Sequence, residues 1–378
     1  MYPISKIKAV CTTASLPVAG PRDESNTVVT LGAISPDDLM SRYQSVLDET
    51  RLSWVEQHRM VRKLGSGGQG VVFLCERVGA DRFSLPVAIK FFSPQGYADA
   101  PAYDEAMVRM AQVAMRVAQI QQDNLVDVQN FVEVNRIRVL EMEWVDGYDL
   151  HRLLTNEMME HVREKVSAER LEYLDDVIFT AGITQPRLKP GVAIAVLRDC
   201  LSALSALHRE GVVHGDIKPS NIMLKRTGNA KLIDIGSAYE WGRGASARTC
   251  TPAYAAPEIL AGDGGSPLSD LASLGYVLLE VLSGAPPFSG RDPEALLSAK
   301  RGILDRLPEM LPEDVLRNEL LMNLVSGLVD PDPVKRFPSA EDADLVEQGA
   351  ANFQRQLVRG DLASEYDNEI RVWLEEME

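Results

Sequence analysis

The chain has 378 residues, 45% of them hydrophobic and 25% charged, enough to bury a substantial core and to divide into more than one domain. A formal net charge of −16 at pH 7 argues against a nucleic-acid or anionic-membrane partner, because a broadly acidic surface repels phosphate backbones and anionic headgroups. The four cysteines, Cys11, Cys75, Cys200 and Cys250, lack metal-ligand spacing and suit reduced thiols in a cytoplasmic setting.

The first thirty residues, rich in Pro, Ser and Thr, read as a flexible arm. Ser35-Pro36-Asp37-Asp38 then supplies a cap, a first-turn proline and first-turn acids. Leu39, Met40, Tyr43, Val46 and Leu47 follow at helical spacing, which predicts an amphipathic helix over 36–50. Its apolar stripe is expected to dock on the domain that follows.

From Met60 the chain alternates into Gly65-Ser66-Gly67-Gly68-Gln69-Gly70 and out through Val71, Val72, Phe73 and Leu74. That is a glycine-rich hairpin between two strands. Glycines at 65, 67 and 70 let backbone N–H groups approach phosphate oxygens with no Cβ in the way. The next strand, Pro86 to Phe92, carries Lys90 in an apolar run. A lysine there is costly unless its ammonium meets an anion, and a phosphate under the hairpin would be one. A helix is expected from Ala102 to Gln119.

Residues 155–189 read as an inserted segment with helical packing at Met158, Met159, Val162, Val166, Leu171 and Leu174. The long apolar helix at 191–209 is interrupted by Arg198 and Asp199, so no membrane span is expected. After Ser339 two amphipathic segments follow, the second with Leu362, Tyr366, Ile370 and Trp373 on one face.

The richest stretch is His214-Gly215-Asp216-Ile217-Lys218-Pro219-Ser220-Asn221, with Asp234 downstream. Phosphoryl transfer asks a protein for a carboxylate that orients a hydroxyl, oxygen donors that hold divalent metal, and positive charge for the transferring group. Asp216 suits the first task, Asn221 with Asp234 the second, and Lys218 with Lys90 the third.

In this order the motifs resemble the eukaryotic-type (Hanks-type) serine/threonine protein kinase family. The glycine hairpin, Val87-Ala88-Ile89-Lys90, the catalytic loop, Asp234-Ile235-Gly236, Thr251-Pro252-Ala253-Tyr254, Ala256-Pro257-Glu258, Asp270 to Gly275 and Arg336 cover roughly residues 58–345. The resemblance implies an α+β, two-lobed fold: a small antiparallel sheet lobe with one main helix (about 56–142) and a larger, mostly helical lobe (about 146–345). Residues 1–55 would be an N-terminal arm and helix, and 346–378 a C-terminal helical extension.

The resemblance also implies ATP with Mg2+, or Mn2+, and transfer of the γ-phosphoryl group to Ser or Thr of protein substrates. The phosphates would lie under residues 65–70. Val72 and Ala88 would belong to the nucleotide site, Met142 would guard the back of its pocket, backbone groups of Glu143 and Val145 would bind the adenine edge, and Asp149 the ribose. Asp149 serves equally well as a helix N-cap. Arg336 would pair with Glu258, and Thr251 would contact Asp216.

Three departures stand out. The family aims its strand lysine with a glutamate from the helix, at a position that falls near Gln112 or Val113 here. Glu105, the only glutamate in this helix, is expected to be brought round to pair with Lys90 as a catalytic residue; otherwise the pair is absent. Gly215 replaces an arginine that meets a phosphorylated activation segment, so activity should not depend on Ser246 or Thr249. Ile235 replaces a phenylalanine. Competing expectations are a pseudokinase scaffold and a small-molecule phosphotransferase of the aminoglycoside or choline kinase kind. Terminal helices could bind a regulatory partner or a second copy.

Overall fold

The computed structural model describes residues 57–242, 250–290, 292–358 and 366–376. The helix expected at 36–50, together with Ser246, Thr249 and Leu362, lies outside them. The described residues all belong to the second of the two units into which the chain divides, Glu56–Glu378.

The second unit begins with five antiparallel strands: β1 (Gln57–Gly67), β2 (Gly70–Val78), β3 (Ser84–Phe92), β4 (Val128–Val134) and β5 (Ile137–Glu143). Their order in the sheet is β1-β2-β3-β5-β4. Period-two alternation divides β3 between two faces. Val87, Ile89 and Phe91 pack with Cys75, Phe73 and Val139 on one side. Phe92 packs on the other side against α1 (Ala100–Val117), where Lys90 also points. Helix α1 starts two residues earlier than its spacing suggested, because the Asp99 side chain accepts the Ala102 N–H at 2.8 Å and Pro101 sits in the first turn. Its buried stripe is Tyr103, Met107, Met110, Val113, Ala114 and Val117.

The larger part is mostly helical. Helices α2 (Asn156–Lys165) and α3 (Ala168–Val177) occupy the inserted segment, capped by Thr155 and Ser167. Helix α4 (Pro190–Arg209) and helix α5 (Pro267–Ser283) form the centre, and nearly all of α5 is buried. Helix α6 (Pro293–Arg301) follows, then α7 (Glu319–Val329), which lies so close to α5 that a Cβ on Gly275 would come within 2.6 Å of Val329.

Helix α4 is long and apolar enough, by length and composition, to cross a membrane, yet 72% of its most apolar window is buried inside the protein. Its polar interruptions have internal partners: Arg198 pairs with Asp344 at 2.7 Å and Asp199 accepts the Ala230 N–H at 2.6 Å.

The tail folds back as α8 (Ala350–Val358) and α9 (Tyr366–Glu376). Ile370, Trp373 and Leu374 of α9 are fully buried. The Trp373 ring lies 5.6 Å from that of Phe179, Arg170 of α3 pairs with Glu369 at 3.5 Å, and Tyr366 packs where a Cβ on Gly191 would sit. The apolar face of this segment is used within the chain.

Candidate active site

The glycine hairpin closes with Gly67 opposite Gly70. Gly70 has φ +145°, and a Cβ there would lie 1.9 Å from the Phe91 carbonyl oxygen, so no other residue lets β2 meet β3 this closely. An added Cβ at Gly65, Gly67 or Gly68 would meet nothing within 4 Å.

Beneath the hairpin, Lys90 is 3% exposed and donates to Asp234 Oδ1 at 2.5 Å and to Gln69 Oε1 at 2.9 Å. The other end of the Gln69 amide donates to Ser237 Oγ at 2.7 Å. Gln69 therefore bridges the hairpin tip to the segment after Asp234, through side-chain contacts that the motif alone did not reveal. Asp234 adopts a left-handed backbone, φ 61°, and accepts the Gly236 N–H at 3.0 Å. A Cβ on Gly236 would come within 2.2 Å of Lys90 Nζ and 2.3 Å of Gln69 Oε1, so a side chain there would displace this pair. Burial alone would raise the Asp234 carboxyl, but the Lys90 ammonium, the Gly236 amide and His214 outweigh it and hold the group below the ordinary carboxylate range.

Glu105 does not reach Lys90. Its side chain is 77% exposed and faces Arg109 across 4.0 Å, one helical turn on. The cause is helical phase: two residues from both Tyr103 and Met107, it stands opposite the buried stripe. Gln112 is also exposed and Val113 is buried, so the glutamate contact is replaced by Asp234 and Gln69.

The catalytic loop is held from below by Asp270 at the start of α5, which accepts the His214 N–H at 2.8 Å, the Gly215 N–H at 2.9 Å and a contact from His208 Nε2 at 2.9 Å. Asp270 stood in a recognised helix start, but nothing in its spacing disclosed this role. With the backbone fixed, Asp216 faces Lys218 (Nζ to Oδ2, 2.6 Å) and Asn221 (Nδ2 to Oδ2, 3.3 Å, and to the backbone oxygen, 2.8 Å). Thr251 donates its hydroxyl to Asp216 Oδ1 at 2.7 Å and accepts from Lys218 at 3.1 Å. Asn221 and Asp234 belong to adjoining backbone, since the Ile233 N–H donates to the Asn221 carbonyl at 2.9 Å.

At the back of the cleft Ala88 pairs with Met142 across β3 and β5, both buried, Val145 is buried and Val72 half-buried. The Glu143 side chain accepts the Asp127 N–H at 2.7 Å and pairs with the buried Lys231, and its own N–H donates to Asp127 O at 3.0 Å. Asp149 caps the helical turn Leu150–Leu153, accepting the Arg152 N–H at 2.9 Å.

The acceptor side is equally built. Arg336, whose side chain is wholly buried, makes a two-pronged pair with Glu258 at 2.7 and 2.8 Å. Burial would raise the Glu258 carboxyl, but the Arg336 guanidinium and the Ser269 hydroxyl lower it overall. Tyr254 donates to Glu280 of α5 at 2.5 Å.

Comparison with known proteins agrees with this arrangement. The protein kinase domain model matches residues 58–344. The serine/threonine-protein kinase PknD of Mycobacterium tuberculosis is 29% identical over 81% of this chain and 42% of its own length. Pkn2 of Myxococcus xanthus is 28% identical over 75% and 31%, and PknB of Mycobacterium tuberculosis 33% over 47% and 29%. The chain thus spans less than half the length of these curated relatives. With the small sheet lobe, the catalytic loop and the Glu258–Arg336 pair in family order, the chain belongs to the Hanks-type serine/threonine protein kinase family.

Proposed function

We propose that this protein transfers the γ-phosphoryl group of Mg2+-ATP to Ser or Thr hydroxyls of protein substrates. The observation that carries the reading is the single cluster of Asp216, Lys218, Asn221 and Thr251, joined by adjoining backbone to the Asp234–Lys90 pair under an open glycine hairpin.

The residues fit the nucleotide and its metal. Asp234 and Asn221 offer hard oxygen donors, and among the described residues no cluster of three or more His, Cys, Asp or Glu could hold a metal by itself. That suits Mg2+, which takes few protein ligands and completes its shell with phosphate and water; Mn2+ accepts the same donors. Bound nucleotide supplies the phosphoryl group, and its metal offsets the negative charge.

The chain does the rest. Lys90 holds the α- and β-phosphates from below, and backbone N–H groups of residues 65–70 hold them from above. The adenine edge meets the backbone of Glu143 and Val145 between Val72, Ala88 and Met142, and Asp149 faces the ribose. Asp216 accepts a hydrogen bond from the substrate hydroxyl and takes its proton. Lys218 places positive charge beside the transferring group. Thr251 and the Glu258–Arg336 pair present a backbone platform that suits a peptide acceptor over a small molecule. A cytoplasmic setting accords with Cys75, Cys200 and Cys250 as free thiols.

The test is phosphate incorporation from γ-labelled ATP and Mg2+ into a Ser/Thr acceptor protein, beside Asp216→Asn. The variant is expected to lose about 10²- to 10⁴-fold in turnover while binding nucleotide as before. Equal turnover would remove Asp216 from its role, and an inactive parent protein would overturn the kinase reading.

A further inference from the structure

Lys300, on α6, is fully buried although nothing in the phosphoryl-transfer cluster uses it. A lysine without exposed surface has given up its hydration and keeps its charge only where other dipoles replace water. Here the Nζ lies 4.0 Å from the centre of the Tyr276 ring and 4.1 Å from that of Phe288, between two aromatic faces. It donates to one backbone carbonyl, that of Ala253, at 2.7 Å. An apolar side chain would fill the space at lower cost, so the cation has a reason other than packing.

The reason lies in what Ala253 belongs to. Residues 251–255 form a tight turn in which the Tyr254 and Ala255 N–H groups both donate to the Thr251 carbonyl, at 2.9 and 3.0 Å. Thr251 anchors one side of the turn on Asp216 and Lys218, Tyr254 anchors the other on Glu280, and the Ala253 carbonyl between them is drawn to Lys300. We propose that Lys300 is a positioning residue for the phosphoryl acceptor: by holding Ala253 from behind, its ammonium fixes the turn that sets Thr251 against Asp216 and forms the surface on which the substrate backbone lies. This deepens the kinase reading and rests on it.

The same burial makes the device pH-sensitive. Burial pushes the Lys300 ammonium down to about 7, and the Cys250 thiol beside it would offset this only as a thiolate. The titratable groups around it are that thiol, from the segment before Thr251, and the Tyr276 phenol on α5. Burial raises both, so both stay neutral through this range. Lys300 is therefore charged below about pH 7 and loses its charge as pH rises through that value.

The experiment compares the parent protein with Lys300→Met, which keeps the volume and removes both charge and donor. Myelin basic protein serves as acceptor, and each substrate is varied in turn from pH 6 to 8.5. At pH 6.5 the Met variant is expected to raise the acceptor KM about tenfold, as for loss of one charge-assisted hydrogen bond, with the ATP KM unchanged. In the parent the acceptor KM rises with pH through neutrality; in the variant that limb is absent. Hydrogen exchange of the 250–256 amides, expected to be faster in the variant, reads the turn without any turnover. Failure of the kinase reading would appear as an inactive parent, and exchange would still decide the role of Lys300. A stably folded Met variant with parental acceptor KM and parental exchange would overturn the proposal. If the variant does not fold, an acceptor KM in the parent that stays flat across the pH range would overturn it, and one that rises while the ATP KM stays flat would support it.

Discussion

Arg116, in the last turn of α1, donates to the Glu240 carboxylate at 3.2 Å and to the Glu210 carbonyl at 3.2 Å, fastening the small-lobe helix to the larger lobe. The helix is thus held at its end, with no glutamate reaching Lys90 from its middle. Glu240 follows Asp234 by six residues, so this contact couples helix position to the segment that begins at Asp234.

Removing that tie should matter where removing Glu105 does not. Arg116→Ala is expected to lower turnover about fivefold, the effect of about 1 kcal/mol from a partly exposed pair. Glu105→Gln should leave steady-state turnover within about twofold, since its side chain sits in solvent beside Arg109. The reverse ranking would show that Glu105 swings in when nucleotide binds.

Gln69 occupies a donor that the proposed nucleotide would use. Its amide oxygen accepts from Lys90, the same donor a phosphate requires, while its amide nitrogen holds Ser237. Gln69→Ala should therefore tighten nucleotide binding by about two- to fivefold, the worth of one net hydrogen bond. Titration with a fluorescent ATP analogue measures this; weaker binding would mean that the amide grips phosphate directly.

Glu258 and Arg336 carry stability as well as shape. Arg336→Met leaves a buried carboxylate unpaired and should cost about 3–5 kcal/mol in urea unfolding. The pair also has a pH signature. Because the folded carboxyl is held below its ordinary value, its contribution is complete above the unfolded pKa, about 4.3, and declines as pH falls through the folded one. Acid unfolding of the parent should therefore show a loss below about pH 4 that the variant lacks.

Activity should not require phosphate on the activation segment. Gly215 has φ +77°, and a Cβ there would lie 2.9 Å from the Ser237 carbonyl oxygen, so the backbone resists any side chain at this position. Combined Ser246→Ala and Thr249→Ala should keep most of the initial rate. Loss of more than about tenfold would reveal another cation that reads the phosphate.

The tail is structural. Trp373→Ala removes a fully buried ring that packs against Phe179 and should destabilise by about 3–5 kcal/mol, lowering the melting temperature. Unchanged melting would detach α9 from the core.

The glycine hairpin, Lys90 and the loop from His214 to Asn221 were legible because their chemistry demands fixed offsets within one short loop, and offsets are what a linear chain records. The same holds for the inserted segment, where the spacing of Met158, Met159 and Val162 matches the buried face of α2. Glu105 points away from Lys90, contrary to expectation, and the sequence carries the signal for it. The stripe at Tyr103, Met107, Met110 and Val117 sets the phase of the helix and turns residue 105 outward.

Other relationships have no local trace. Lys300 meets Ala253, Tyr276 and Phe288, Arg116 meets Glu240, and Asp270 gathers His208 and the amides of His214 and Gly215. Apart from the Lys300–Phe288 contact, each joins segments two dozen or more residues apart, and a buried cation reads along the chain like any surface lysine. Motifs in family order, each read from neighbours in sequence, carried the resemblance that implied the two-lobed fold and the chemistry expected of the cleft. Which side chains hold that cleft in place depended on burial, where lost hydration forces distant charges and carbonyls to find one another.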